Sequence, residues 1–121
     1  MKLALQLNNY IWEGGPGKLG ATLTRIAQTA DEYGFDSIAV ADHLWAVPPW
    51  MGPVEGQIPE CYTTLAFLAA GTRRVQLMAL ATPPHFRYPA LLAKMVSTLD
   101  VLSGGRAWLG IGAGDYADEA Q

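Results

Sequence analysis

Residues 34–44 read GFDSIAVADHL, and this stretch decides the fold. Its centre, residues 37–41, is short and almost continuously apolar, which predicts a strand that is covered on both faces. Gly34 follows an amphipathic segment, at a position where it can take the left-handed conformation that ends a helix. Asp42 and His43 come directly after the strand. The stretch therefore predicts, in order, a helix end, a buried strand and a polar strand end.

The same alternation continues on both sides of this stretch. Apolar runs at residues 3–7, 75–81 and 107–111 predict three further strands. Apolar residues at helical spacing predict helices over residues 18–33, 60–70 and 89–102. Strands that alternate with helices form a parallel sheet with right-handed crossovers. The chain is therefore expected to be an α/β protein with four strands and three helices.

Two architectures fit this order: a doubly wound open sheet and part of a barrel. In both of them, ligands bind outside the carboxyl ends of the strands. The segment after the first strand, residues 8–12, reads NNYIW and is not a glycine-rich dinucleotide turn, which favours the barrel. A chain of 121 residues is long enough for one domain and too short for two. Residues 1–121 are expected to form a single domain.

Composition excludes several classes of function. The net charge is −3 and the eight Lys and Arg residues form no basic patch, which argues against a nucleic-acid partner. No apolar run approaches the roughly 20 residues that a membrane span needs. A single cysteine, Cys61, cannot form an internal disulfide, and a reducing, cytoplasmic setting is expected. The sequence has no metal-ligand spacing.

The candidate site residues follow the predicted strands, where a parallel α/β fold builds its sites. Asp42–His43 is the sharpest pair, because neutral imidazole can accept a proton and a carboxylate can orient it. The dipeptide alone favours a structural interpretation, in which Asp42 caps a turn and His43 fills space. Trp12, Trp45 and His85 are candidate substrate or lid contacts.

Three segments carry a resemblance to a known family. GFDSIAVADHL (34–44), ATPPHFRYPALLAKMVSTLDVLSGGR (81–106) and LGIGAG (109–114) resemble, in order, the luciferase-like monooxygenase superfamily. The similarity is closest to members that use the deazaflavin coenzyme F420. The resemblance implies a parallel (β/α)₈ TIM-type barrel, of which this chain holds the first four strands and three helices. It also implies hydride transfer between a small-molecule substrate and a deazaflavin or flavin coenzyme, since FMN-using relatives share these segments.

The resemblance also implies roles for individual residues. His43 would contact the reacting centre as a catalytic residue, and Asp42 would orient or support it. A non-prolyl cis peptide at Ala79–Leu80 is expected at the end of the third strand. A carboxylate position of some relatives falls on Asp115. The residues expected to back or border the coenzyme ring are Ala79, Leu80, Ala81, Thr82, Gly112, Ala113 and Gly114.

The chain departs from the resemblance in its length. A complete barrel has about 250 residues, and a half barrel has two open sheet edges and an uncovered inner face. A missing C-terminal half or a second copy of the chain is therefore the expected partner, and the chain alone is expected to be weakly active or inactive. Two alternatives stay open: a non-catalytic or designed half barrel that self-associates, and an FMN-dependent monooxygenase. The sequence leaves the substrate open.

Overall fold

The structure, a computed structural model, describes residues 1–53, 58–114 and 119. The predicted order of strands and helices is confirmed, and a short 3₁₀ turn at Pro16–Lys18 leads into the first helix. The elements are β1 (Ala4–Leu7), α1 (Leu19–Glu32), β2 (Ser37–Val40), α2 (Cys61–Gly71), β3 (Gln76–Ala79), α3 (Pro89–Ser103) and β4 (Ala107–Trp108).

The four strands form one parallel sheet in the order β1-β2-β3-β4. Leu5 pairs with Ile38, Ile38 with Leu77, and Leu77 with Ala107. Sequential strands are therefore neighbours throughout, and each connection from β1 to β4 carries one helix. This is the strand order of a barrel wall, because a doubly wound sheet reverses direction at a switch point.

The sheet has one covered face and one open face. Side chains alternate between the two faces of a strand, and Leu7, Val40 and Leu77 lie in the core with the helix residues. On the opposite face of the sheet, Gln6 is exposed and Trp108 is 54% exposed. The hydrophobic core thus lies between the sheet and its helices.

Helix α1 shows how the sequence pattern becomes packing. Its buried residues Leu23, Ala27 and Ala30 are spaced to lie on one face. Gly34 has φ +79°, and the amide of Phe35 donates to the carbonyl of Ala30. The left-handed glycine that was predicted to end this helix is confirmed.

The ends of β3 and β4 differ from the prediction. Sheet pairing stops at Ala79 and resumes as a single bridge between Thr82 and Ile111. The non-prolyl cis peptide lies at Leu80–Ala81, so the predicted position, Ala79–Leu80, is wrong by one residue. The amide of Leu80 still donates to the carbonyl of Val40 at 2.9 Å, which keeps the Ala79–Leu80 peptide in the regular ladder.

Three further features of the described residues bear on the class of function. Cys61 is 1% exposed and its thiol lies in the core, where burial, followed by the charges of Asp42 and Glu60, raises the pKa of the thiol above its usual range. Within the ranges that the structure describes, no helix is long and apolar enough to cross a membrane. The same ranges contain no group of three or more His, Cys, Asp or Glu side chains that could hold a metal ion.

Candidate active site

A cavity of about 140 Å³ lies at the carboxyl ends of the strands. Both histidines of the chain line it, although residues 43 and 85 follow different strands. The remaining lining residues are small or flat except for one carboxylate. The lining consists of His43, Ala81, Pro83, His85, Gly112, Ala113, Gly114 and Glu119.

The carboxylate that contacts the His43 ring belongs to Glu119. Oε2 of Glu119 lies 2.8 Å from Nδ1 of His43, and Oε1 accepts a hydrogen bond from the amide of Leu44 at 2.7 Å. The Glu119 side chain is 1% exposed and that of His43 is 22% exposed. The carboxylate contact at Nδ1 of His43 therefore comes from a residue after β4, whereas the resemblance implied that Asp42 would orient or support this ring.

Asp42 instead forms a two-point ion pair with Arg87. The guanidinium donates to the two carboxylate oxygens at 2.6 and 2.9 Å, and it also contacts Glu60. Burial of the guanidinium favours its neutral form, but its bonds to Asp42 and Glu60 outweigh burial and raise the pKa of Arg87 above its usual range. Asp42 is 2% exposed, and this pair ties the end of β2 to the loop after β3.

A second polar contact extends this network toward the cavity. Arg87 lies over the ring of Tyr62, 4.8 Å from its centroid, which is cation–π geometry. The Tyr62 and Thr82 hydroxyls are 2.6 Å apart. The backbone of Thr82 is bonded to the segment after β4. Its carbonyl accepts from the amide of Gly112 at 3.0 Å, and its amide donates to the carbonyl of Gly110 at 2.8 Å. The α2 start, the β3 exit and the β4 exit are therefore held in one hydrogen-bonded unit.

The glycines after β4 are required by close approach of the chain to itself. A Cβ on Gly110 would lie 2.2 Å from the carbonyl oxygen of Ala79, and one on Gly114 would lie 2.3 Å from the ring of His85. Gly114 also has φ +73°. Gly112 and Gly114 line the cavity, where the absence of side chains keeps the space open.

The structure brings only some of the predicted site residues to the cavity. Of the four residues at the end of β3, Ala81 lines it, whereas Ala79 is in the core and Thr82 is buried against Tyr62. Leu80, also from that set, is 42% exposed. The cavity lining therefore retains one of the four, together with Gly112, Ala113 and Gly114.

The two tryptophans lie apart from the cavity lining. Trp12 packs on Tyr10, with ring centroids 5.6 Å apart, and against the core. Trp45 is 38% exposed. His85 does line the cavity, and its ring packs edge-on against Phe86. Asp115 lies outside the described residues.

Sequence reasoning missed Glu119 and Arg87 as functional residues. Arg87 lies in the loop that follows the third predicted strand, beside His85, and this position is a usable signal. Glu119 is 76 positions from its histidine partner, and no local pattern links the two. Only the meeting of strand ends in a parallel sheet brings them together.

The profile of the family described as luciferase-like monooxygenase matches residues 10–121. The chain belongs to this family. The predicted family and the predicted fold, the first part of a parallel (β/α)₈ barrel, are both confirmed.

Members of this luciferase-like family with F420-dependent activity are among its sequence relatives. F420-dependent glucose-6-phosphate dehydrogenase of Kineococcus radiotolerans is 41% identical over 105 residues, which cover 86% of this chain and 29% of that protein. The corresponding enzyme of Amycolatopsis mediterranei is 37% identical over 98 residues, 80% of this chain and 28% of that protein. The chain thus spans less than a third of the length of these relatives.

Solved structures show the same architecture. The oxygenating constituent of 3,6-diketocamphane monooxygenase from Pseudomonas putida, in complex with FMN, aligns with a TM-score of 0.78 at 27% identity. The alignment covers 98% of this chain and 31% of that one. The coenzyme F420-dependent tetrahydromethanopterin reductase of Methanopyrus kandleri aligns with a TM-score of 0.73 over 96% of this chain and 28% of its own, and at 24% identity it shows the fold alone.

Proposed function

We propose that the chain carries one side of the active site of an F420-dependent oxidoreductase, which transfers hydride between a small hydroxylated substrate and the deazaflavin. The observation that carries this proposal is that His43 lines a cavity together with the glycine segment after β4. The 41% identity to an F420-dependent glucose-6-phosphate dehydrogenase supports the choice of coenzyme and of substrate class.

The cavity fits one edge of a flat ring. Ala81, Gly112 and Gly114 add almost no side-chain volume to the lining, which suits a planar group. Its volume of about 140 Å³ is less than half of the roughly 300 Å³ at the lower end for ligand pockets. None of the described lining residues is Lys or Arg, so charge for a coenzyme phosphate would come from outside them. We infer that a complete site needs a further part of the protein or a second copy.

The chemistry of the coenzyme and of the chain can be assigned separately. A bound F420 would supply the acceptor for the hydride that leaves the carbon of the substrate hydroxyl. His43 would take the hydroxyl proton, because neutral imidazole is an effective general base near neutral pH. Asp42 would support His43 through the Arg87 ion pair that fixes the end of β2. Ala79, Leu80, Ala81 and Thr82 would back the ring, and Gly112, Ala113 and Gly114 would border it.

The outer part of the site would select the substrate. We propose His85 as a substrate contact because it lines the same cavity as His43. Trp12 and Trp45 are proposed only as lid residues, since neither of them lines the cavity in the described structure. Residues 1–121 are proposed to fold as one domain around the single core between sheet and helices.

FMN-dependent monooxygenation is the second candidate function. The relative from Pseudomonas putida, whose structure contains FMN, matches almost the whole chain at 27% identity. The small residues after β3 and β4 do not discriminate between a flavin and a deazaflavin. The coenzyme therefore has to be determined by binding.

Titration of the purified chain with F420 and, separately, with FMN tests the proposal. We expect saturable fluorescence changes with F420 only, in a complex whose mass by light scattering exceeds one chain. In that complex, F420 should be reduced on addition of glucose 6-phosphate as probe substrate. His43→Ala should retain F420 binding and lose reduction by about a hundredfold or more, since general-base catalysis contributes that much.

The exposed substitution Lys94→Ala on α3 is the control. It should change neither binding nor reduction. Saturable binding of FMN alone would favour the monooxygenase, and binding of neither coenzyme would contradict a cofactor role for the chain by itself.

A further inference from the structure

Glu119 is a buried carboxylate with two separate hydrogen-bond partners. One oxygen lies 2.8 Å from Nδ1 of His43, and the other accepts from the Leu44 amide at 2.7 Å. Both partners follow β2, whereas Glu119 follows β4. Burial of a carboxyl group is costly unless its oxygens have hydrogen-bond partners, and here both oxygens of this 1% exposed side chain have one.

These two contacts define which ring nitrogen carries the hydrogen. A backbone amide can only donate, and an ionised carboxylate can only accept. With Glu119 ionised, Nδ1 of His43 donates to Oε2 and therefore carries a hydrogen. In the neutral ring the lone pair then lies on Nε2, because the hydrogen bond made by one nitrogen sets the tautomer of the whole ring.

We infer that Glu119 is a positioning residue that holds His43 as the Nδ1–H tautomer, leaving Nε2 as the nitrogen that accepts the substrate proton. This inference rests on the proposed function. In the proton transfer, the substrate O–H bond breaks and an N–H bond forms at Nε2. The proton does not move on to Glu119, whose negative charge compensates the positive charge that develops on the ring.

In this arrangement a carboxylate holds the imidazole of a general base in one orientation and one tautomer. The Leu44 contact fixes the carboxylate against the backbone, so the ring nitrogen is bound to a group that cannot rotate away without losing a second bond. Asp42 cannot serve this role equally well, because its two oxygens are held by Arg87.

A structural clamp would use the same atoms for a different purpose. In that case Glu119 would only fasten the segment after β4 to the backbone of Leu44, and the state of the His43 ring would not depend on it. The two roles differ in one observable, the tautomer of His43.

The experiment is nitrogen NMR of the whole chain labelled at histidine, without coenzyme. The chain has two histidines, and His85 serves as an internal control because it lines the same cavity but is not among the described hydrogen-bond partners of Glu119. We expect wild-type His43 to carry its hydrogen on Nδ1. Glu119→Ala should abolish that preference and leave the His85 signals unchanged.

Exchange of the Leu44 amide is measured in the same samples. Loss of its acceptor in Glu119→Ala should speed exchange by about tenfold or more, as expected for loss of a hydrogen bond to a charged group. Glu119→Gln can keep the Leu44 contact through its one oxygen, but its NH2 group can only donate to Nδ1 of His43. We therefore expect this variant to lose the His43 contact or to shift the ring hydrogen to Nε2.

Three results would overturn the inference. One is a wild-type His43 with its hydrogen on Nε2, a result that needs no variant to fold. Another is an unchanged His43 tautomer in Glu119→Ala with faster Leu44 exchange, which is the behaviour of a clamp. The third is no change of either signal in Glu119→Gln. Because no coenzyme is present in these samples, the tautomer of His43 is measured independently of F420 binding. Failure to bind F420 would contradict the proposed function, whereas an unexpected tautomer would contradict the role of Glu119.

Discussion

Arg87 connects charges that the sequence places far apart, and its removal is the sharpest test at the scale of single residues. Arg87→Ala would leave Asp42, which is 2% exposed, as a buried carboxylate without its guanidinium. Breaking a buried pair from one side costs about 3 kcal/mol, since the remaining charge is uncompensated. We expect the free energy of unfolding in urea to fall by about that amount.

One further variant separates charge from geometry at position 87, and a variant on α1 serves as the control. Arg87→Lys keeps the charge but loses the two-point contact, so its effect should lie between wild type and Arg87→Ala. Arg25→Ala removes an exposed arginine of α1 and should change stability by no more than about 0.5 kcal/mol. A loss in Arg87→Ala no larger than that of Arg25→Ala would contradict a structural role for the network.

At the scale of elements, the start of α2 depends on a charged cap. Glu60 accepts hydrogen bonds from the amides of Tyr62 and Thr63. Burial raises the pKa of Glu60, but these bonds and Arg87 outweigh burial, so its pKa in the folded chain is lowered from 4.5. A lowered folded-state pKa means that the stabilisation is present above the unfolded pKa and is lost as pH falls through the folded one.

Urea unfolding at pH 7 and at pH 3 should show this dependence. Glu60→Gln should cost about 1 kcal/mol at pH 7, which is typical for loss of a cap, and less at pH 3. Glu13→Gln, an exposed site before α1, should show the same pH dependence as wild type. An equal cost of Glu60→Gln at both pH values would show that the cap does not act through its charge.

The contact between β3 and β4 allows a second element-scale prediction. Gly110→Ala would place a Cβ 2.2 Å from the carbonyl oxygen of Ala79, which is backbone and cannot move aside cheaply. Overpacking of this kind costs about 1–3 kcal/mol. Gly17→Ala is the matched control, because its added Cβ meets nothing within 4 Å. Thermal unfolding should separate the two variants, and equal stability would contradict the tight strand contact.

Helices and strands were predictable from the sequence wherever one regular spacing of apolar residues continued over enough positions. The apolar stripe of α1 and the glycine after it depend on neighbouring residues only, and both were found. The ends of β3 and β4 were not, because the break at Leu80–Ala81 and the renewed bridge from Thr82 to Ile111 depend on a partner strand. The lengths of these strands are set by pairing and not by propensity.

The site was predictable to the extent that its residues follow strands directly. His43 and the glycines after β4 met that condition and line the cavity. Trp12 does not follow β1 directly, and its ring packs on Tyr10 and the core. Glu119 could not be assigned, since its partner is set by the meeting of two strand ends and not by spacing along the chain.

At the scale of the whole molecule, the open face of the sheet controls how the chain behaves in solution. Trp108, on this face, is 54% exposed, and β1 and β4 are the edges of the described sheet. Exposed apolar surface and unpaired strand edges favour association. We expect the chain of 13.0 kDa to sediment as a larger species whose mass rises with concentration.

Substitution on this face should weaken the association. Trp108→Gln removes the largest apolar group from the open face and should raise the dissociation constant by about tenfold or more, because burial of a large side chain contributes about 1.5–3 kcal/mol. Tyr33→Gln, which removes an aromatic ring that is 80% exposed after α1, should leave the constant unchanged. Equal effects of both variants would assign the association to the helical side of the molecule. A monomer at every concentration would show that the open face is tolerated in water, and a second copy could then not complete the active site.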